Sequence, residues 1–480
     1  MPSASQADVV GKKNILIIVF DAFSARHIST YGYSRETTPN INRLAERAIV
    51  YHNHHAGGNF TTPGTASLLT GTLPWVHRAF GYSNQITKGM VDKSIFHAFK
   101  DYYRVAYTHN RLAANLLNQF SSGLEENIPL EQFFLNSDFL VEKLFSKDSD
   151  IASVSWARSI KKDGGSSYSL CLSALYQRYM ENKFMPLKHQ FPRGLPKVNK
   201  DNYFILETVM NWLGSQVNLF PRPFLGYFHF LPPHDPYGTR WDFVNIFHND
   251  GFSMPWKKED LFSGGEILYK VATFRQQYDE FILYVDQEFG KLFDHLDELG
   301  VLDDTWVVLT SDHGELFERG IIGHVTPVLY EPVIHIPLMI FEPGRKTRTD
   351  IFTPTSAIDV LPTLISVTGG QIPEWSEGRV LSPFTSQVMP PDRNIFTLQA
   401  KRTKMYEPLT TLTLSLIKDK YKLMYFTGYK ELEGRERIEL YNLAEDPEEL
   451  NNLFSAQSGI GKTMLDELKS KLSEMNKPYL

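Results

Sequence analysis

The chain has 480 residues, of which 42% are hydrophobic and 22% charged, and its formal net charge at pH 7 is -6. That length allows one large α/β domain with a smaller one and a sizeable core. No broad basic excess offers itself to a nucleic acid, Lys161-Lys162 and Lys257-Lys258 being short pairs suited to solvated surface, and the single cysteine, Cys171, excludes an intramolecular disulfide.

The residues before Asn14 hold no apolar stretch of signal-peptide length, so a cytoplasmic protein without a membrane span is expected. Asn14–Phe20 is a continuous apolar, β-branched run that predicts a buried parallel strand ending on Asp21. From about 94 to 200 the strand-turn rhythm is missing, which predicts a helical insertion or lid with a flexible loop at Gly164-Gly165-Ser166-Ser167. Phe224–Phe230 reads as a strand, Tyr269–Leu299 as a long amphipathic helix closed by Gly300, and Thr305–Thr310 and Ile336–Phe341 as two more strands. After Gly370 a connection containing Pro, Gly and Ser leads to a C-terminal unit, 371–480. It has strands at Leu412–Ile417 and Tyr421–Phe426 and a helix around Thr463–Met475. The expected fold is therefore α/β. A large, mostly parallel sheet is covered by helices on both faces, in a domain from 12 to 370, with a small α+β subdomain after it. Ligands of such sheets sit beyond the carboxyl ends of the strands, where Asp21, Asp312 and the loop after Phe230 fall.

The most informative segment runs from Phe60-Thr61-Thr62-Pro63-Gly64-Thr65 to Gly71. Proline suits the first position of a helix, which places the threonines at a helix N-terminus where free N–H groups and the dipole favour an anion. Alone, this would be an ordinary threonine cap. Ser311-Asp312-His313-Gly314 follows a second buried strand, however, and Asp21 ends the first. Two carboxylates with one imidazole and one hydroxyl suit Mn²⁺, Zn²⁺, Mg²⁺ or Ca²⁺.

Together these segments resemble the sulfatases of the alkaline phosphatase superfamily. The resemblance rests on Asp21, Thr38-Pro39-Asn40, the Thr61 segment, Pro233-His234-Asp235-Pro236-Tyr237, Ser311-Asp312-His313-Gly314, Gly323-His324 and His335-Ile336-Pro337-Leu338. Near the C-terminus Glu439–Leu443, Asp446-Pro447-Glu448 and Asn452-Leu453 continue it. Three departures bear on the reaction. Sulfatases carry Cys or Ser where Thr61 stands and convert it to formylglycine, whose hydrate releases sulfate by collapsing to the aldehyde; threonine cannot follow that route. The motif's arginine is Thr65, and Ala22 stands where sulfatases have a second aspartate.

The resemblance then implies one divalent ion, bound by Asp21, Thr61, Asp312 and His313, and Thr61 as nucleophile. This pattern is similar to phosphonate monoester hydrolases and to threonine-dependent phosphotransferases. His234 and His324 would bind non-bridging oxygens, one of them protonating the leaving group; His324 stands where sulfatases carry a lysine. Arg78 and Asn84 are candidates for substrate contact, while His77, His335 and the His52, His54, His55 cluster suit structural roles. The expected activity is a phosphoric ester hydrolase or phosphotransferase. Its substrate would be a small-molecule or a glycan- or lipid-linked ester, with phosphodiesters or phosphonate monoesters favoured because one ion and two histidines compensate a monoanion better than a dianion. A sulfatase working without formylglycine and a catalytically silent binding protein are the alternatives. A homo-oligomer is compatible with all three.

Overall fold

The computed structural model describes residues 11–82, 85–135, 202–386 and 393–480, and, between 171 and 198, residues 171, 175, 178, 179, 182 and 184–198. The Gly164–Ser167 loop and Asn84 lie outside the described residues.

An eight-stranded sheet forms the centre. Its strands are β1 (Asn14–Phe20), β2 (Ile49–Tyr51), β3 (Tyr103–Thr108), β4 (Glu126–Asn127), β5 (Phe224–Phe230), β6 (Thr305–Thr310), β7 (Leu338–Phe341) and β8 (Thr349–Ile351), and their spatial order is β8-β2-β7-β6-β1-β5-β3-β4. Every pairing is parallel except those of β7 with β2 and with β6. All seven residues of β1 are buried, as its unbroken apolar run requires of a strand covered on both faces. The strand period of two divides them. Leu16, Ile18 and Phe20 pack with α4 (Leu206–Gln216) and α5 (Leu268–Glu298) on one face. Ile15, Ile17 and Val19 pack with α2 (Thr61–Thr70), α3 (Arg111–Gln119) and α6 (Val360–Val367) on the other. Each such side chain contributes about 1.5–3 kcal/mol by its burial, so a slip of register by one residue would expose nothing but would point the strand's terminal aspartate to the wrong face.

Of the stretch 94–200 set apart as a helical insertion, the first third belongs to this sheet. β3 pairs in parallel with β5 along its whole length, and β4 extends the edge. In its sequence, Tyr-Arg-Val-Ala-Tyr-Thr, the apolar run Val105-Ala106-Tyr107 is too short to stand out between helical neighbours. The strand read as Ile336–Phe341 begins two residues later, at Leu338, and runs antiparallel. The long helix spans 31 residues and is followed by Gly300 in the left-handed region, φ +70°. Its buried Asp286 accepts bonds from the backbone N–H of Asn40 and Ile41 and so caps α1 (Pro39–Ala45).

The chain after residue 393 builds a second, antiparallel sheet of β9 (Ile395–Gln399), β10 (Leu412–Lys418), β11 (Tyr421–Thr427) and β12 (Arg437–Asn442), covered by α7 (Ser458–Asn476). It joins the first unit through backbone pairing of Leu398 with Gly58 and through several ion pairs, one of them a buried knot. In that knot Lys422 of β11 reaches Glu331 at 2.9 Å and Glu449 at 2.8 Å, all three side chains being buried. Removing the cation would leave two buried carboxylates facing each other. Lys422→Met is therefore expected to cost about 3–5 kcal/mol of stability, measured by urea denaturation; a loss within error would show that the knot is solvated. No described helix is long and apolar enough to cross a membrane.

Candidate active site

The sheet order carries four strand ends to one place. Val19 of β1 lies beside His229 of β5 and Thr310 of β6, and Thr108 of β3 lies beside His229 from the other side. Continuing each strand's alternation by one step past its end brings Asp21, Asp312 and Asn110 onto the face that packs against α2, where His229 also points. Helix α2 begins at Thr61, so Pro63 is its third residue instead of its first. It still falls in the first turn, where its missing N–H has no intrahelical partner to lose. All ten residues of α2 are buried, and Gly71 ends it at φ +65°.

Two backbone features fix Thr61. Phe60 before it has φ +61° and ψ 172°, a region almost confined to glycine, and such strain persists only where surrounding structure imposes it. Gly64, one turn on, lies so close to the Asp312 backbone that a Cβ would stand 2.2 Å from its carbonyl oxygen. Gly64→Ala is thus expected to push the helix start away from Asp312 and to lower turnover by about 10²-fold, the usual effect of an ångström's misplacement. Steady-state kinetics beside a circular dichroism spectrum would check this, and an active Gly64→Ala enzyme would show that the contact is dispensable.

The hydroxyl of Thr61 accepts from Asn110 Nδ2 at 3.2 Å and lies 3.4 Å from His313 Nε2. That nitrogen is 3.3 Å from Asp21 Oδ1 and 3.7 Å from Asp312 Oδ2. The other ring nitrogen, Nδ1, faces the Gly314 carbonyl at 2.9 Å and must donate to it, which aims Nε2 into the site. On the opposite side His229 Nε2 lies 3.3 Å from Asp21 Oδ2 and 3.7 Å from Asp312 Oδ2. Asp312 Oδ1 is held by the backbone N–H of His313, at 3.0 Å, which turns Oδ2 inward. The structure thus brings together all four expected ligands, Asp21, Thr61, Asp312 and His313.

Burial by itself would raise the Asp21 carboxyl, but the imidazoles of His234, His229 and His313 hold it well below the usual range. Burial would likewise lower His313, but Asp312 and Asp21 push it up to about 9. A buried carboxylate held low beside a second carboxylate suits a divalent cation. Asp21, His229 and Asp312 each offer a ligand atom, these atoms lying within 4.8 Å of one another. Asp21 Oδ1 and His229 Nε2 are buried without a hydrogen-bond partner, as ligand atoms would be. The donor set therefore fits a divalent ion.

His324 and His234 close the other side, their rings 4.8 Å apart and the His324 ring 4.3 Å from that of His313. His324 Nδ1 donates to Glu315 at 3.1 Å and His234 Nδ1 to the Asp235 carbonyl at 2.7 Å, leaving each Nε2 as the working nitrogen. The two are electrostatically unlike. Burial lowers His324 well below its ordinary value, helped by His313 and His234, whereas Asp21, Asp235 and Glu315 outweigh burial and raise His234. His234 is accordingly the better proton donor.

Arg78 is placed elsewhere. Its guanidinium donates to the carbonyls of Met405 and Glu407 and lies over the rings of Phe80 and Tyr479, so its described contacts tie the C-terminal unit down. The other histidines follow the structural reading. His77 bonds Ser67, His54 bonds Thr355, His52 pairs with Asp350, and His55 and His335 flank Glu331. Two site residues escaped the sequence reading. His229 was a polar residue inside an otherwise apolar strand, and that was its signal. Asn110 caps α3 with its Oδ1 while its Nδ2 reaches Asp21 and Thr61; it was hidden because β3 before it was not recognised.

Residues 13–370 match the family model described as Sulfatase, and residues 326–478 the one described as N-sulphoglucosamine sulphohydrolase, C-terminal. Among curated proteins the chain is similar to a choline-sulfatase of Rhizobium meliloti, with 24% identity covering 94% of this chain and 84% of the other. It is also similar to a multifunctional alkaline phosphatase superfamily protein, PehA, of Trinickia caryophylli, with 23% identity covering 92% and 91%. Among solved structures it resembles the phosphonate monoester hydrolase of Agrobacterium radiobacter. The TM-score is 0.67 at 16% identity, covering 97% of this chain and 96% of that one.

Proposed function

The chain belongs to the sulfatase family, and from that membership we propose that it is a phosphoric ester hydrolase or phosphotransferase working through a covalent phosphothreonine at Thr61. One observation carries the reading. Thr61 stands at the strained start of a buried helix, with its hydroxyl against Asn110 and His313, yet it is neither cysteine nor serine. A threonine ester has no hydrate to collapse, so it must be displaced in line by water or an alcohol, the chemistry of phosphoryl transfer.

Asp21, Thr61, Asp312 and His313 would hold one divalent ion, Mn²⁺, Zn²⁺, Ca²⁺ or Mg²⁺. Bound there, it lowers the pKa of a ligated hydroxyl and offsets charge on the ester oxygens. Asn110 and the strained turn orient Thr61 Oγ1. Thr61 Oγ1, its proton released to solvent, bonds to phosphorus as the bond from phosphorus to the leaving oxygen breaks, and His234, pushed up by its carboxylate neighbours, gives that oxygen its proton. His324 faces the same space and contacts non-bridging oxygens. An acceptor oxygen then attacks the phosphorus, Oγ1 leaves, and His234 takes up the acceptor's proton.

The substrates favoured are phosphodiesters and phosphonate monoesters, whose single negative charge one ion and two histidines can balance. The names of several relatives favour sulfate esters instead, among them the choline-sulfatase and an ulvan-active sulfatase of Formosa agariphila. A panel of phosphate monoesters, phosphodiesters, phosphonate monoesters and sulfate esters, run on metal-reconstituted enzyme with mass spectrometry of quenched reactions, separates the two. A phosphoryl adduct on the Thr61 peptide is expected; turnover confined to sulfate esters would overturn the proposal.

A further inference from the structure

We infer that Tyr278, on α5, is a positioning residue of the metal site: its hydroxyl locks the left-handed turn at Ala22 and through that turn aims the Asp21 carboxylate. The inference rests on the metal-site part of the reading above and adds to it a residue from outside the strand ends.

Asp21 needs such a hold. Asn110 Nδ2 donates to its Oδ2, but Oδ1 has no hydrogen-bond donor, so the direction of the carboxylate depends on the backbone on either side. On one side β1 fixes it, the strand's pairing being continued by the bond from the Asp21 N–H to the Phe230 carbonyl at 2.9 Å. On the other side stands Ala22 with φ +58°, in the left-handed region that a Cβ disfavours. A conformation of this kind persists only where its neighbours impose it.

Those neighbours are identifiable, because Ala22, Phe23 and Ser24 are fully buried and their backbone polar groups need partners inside the protein. The Ala22 N–H points to Asp312 Oδ1 at 3.4 Å, and the Phe23 N–H donates to Ser311 Oγ at 2.9 Å. Tyr278 serves two more groups. Its hydroxyl donates to the Ala22 carbonyl at 2.5 Å and accepts from the Ser24 N–H at 3.0 Å. A phenol has one proton to give and a lone pair to receive another, so both bonds form at once and pin the chain on either side of Phe23. A simpler account makes Tyr278 an ordinary core aromatic, its ring centroid 5.0 Å from that of His27, 5.6 Å from Tyr237 and 5.1 Å from Phe317. Phenylalanine would make those contacts equally well. The hydroxyl forms hydrogen bonds only with this turn among the described residues, and the turn follows directly on a metal ligand.

Metal affinity tests this without reference to turnover. Apoprotein is titrated with Co²⁺ by calorimetry, with the visible spectrum and urea stability recorded, for the wild type, Tyr278→Phe, Ala22→Gly and the double variant. Tyr278→Phe is expected to bind Co²⁺ roughly 10-fold more weakly, with a changed spectrum. Glycine adopts the left-handed turn without strain, so Ala22→Gly is expected to match the wild type and the double variant to return to within about threefold of it. A residue that serves the core alone would lower stability in Tyr278→Phe while affinity and spectrum stay as in the wild type. That result overturns the inference, and so does a double variant no better than Tyr278→Phe. If Tyr278→Phe does not fold, the double variant decides. Co²⁺ bound at wild-type affinity there supports the clamp; weaker binding or a second failure to fold ends the proposal. A wild-type protein that binds no Co²⁺ would sink the metal site and this inference together, whereas the absence of a Tyr278 effect alone leaves the proposed reaction standing.

Discussion

Thr61→Ala is expected to lower turnover of the best phosphoric ester by roughly a thousand-fold or more and to abolish the phosphoryl adduct, while leaving substrate affinity and the fold close to wild type. The residue gives up one hydroxyl and one methyl, so the buried helix α2 should tolerate it. What disappears is the atom that makes the covalent intermediate, and the whole effect belongs in kcat. Thr61→Ser restores the hydroxyl and is expected to recover activity, because the strained turn at Phe60 positions the atom whatever its substituent. A fully active Thr61→Ala enzyme would remove Thr61 as nucleophile and leave the histidines to activate water directly.

The second large effect is expected from the metal. Chelation, or Asp312→Asn, should remove the ion and with it several kcal/mol of transition-state stabilisation, on the order of a thousand-fold in rate. Metal analysis should find one ion per wild-type chain and substantially less in the variant. Asp312 is the better residue to change. Its Oδ2 lies beside His229, His313 and Thr65, so a single neutralisation disturbs both histidines and the threonine together. The Thr61→Ala/Asp312→Asn double variant should be barely worse than either single one, since groups that act as a unit are not additive. Two tightly held ions per chain would defeat the mononuclear arrangement, and His234 and His324 would then need to be read as ligands of the second.

These two tests also separate what kind of protein this is. A silent binding protein would turn over no ester in the wild type or in either variant. An enzyme confined to sulfate esters would respond to the ion but would never carry phosphorus on Thr61.

Much of this was already written in the order of residues, and the reason is locality. The run Asn14–Phe20 shows a strand buried on both faces because burial leaves no place for a polar residue, and Asp21 stands out because it ends that run. The 31-residue helix is legible from its apolar spacing, although the run Tyr278–Ile282 at its middle is buried on every side. The types of group at the site, two carboxylates, imidazoles and a hydroxyl at a helix start, are likewise properties of short segments. Which of them meet is a different matter, because it depends on the order of strands in the sheet. β6, β1, β5 and β3 are neighbours in space but lie as far apart in sequence as Thr305, Asn14, Phe224 and Tyr103. His229 and Asn110 therefore enter the site only through tertiary structure, and Arg78, named by motif spacing, leaves it for the carbonyls of residues 405 and 407. The sequence by itself determined the chemistry available to this protein, since side-chain type and strand period are local. The packing of non-consecutive strands decided which of those groups share one buried point.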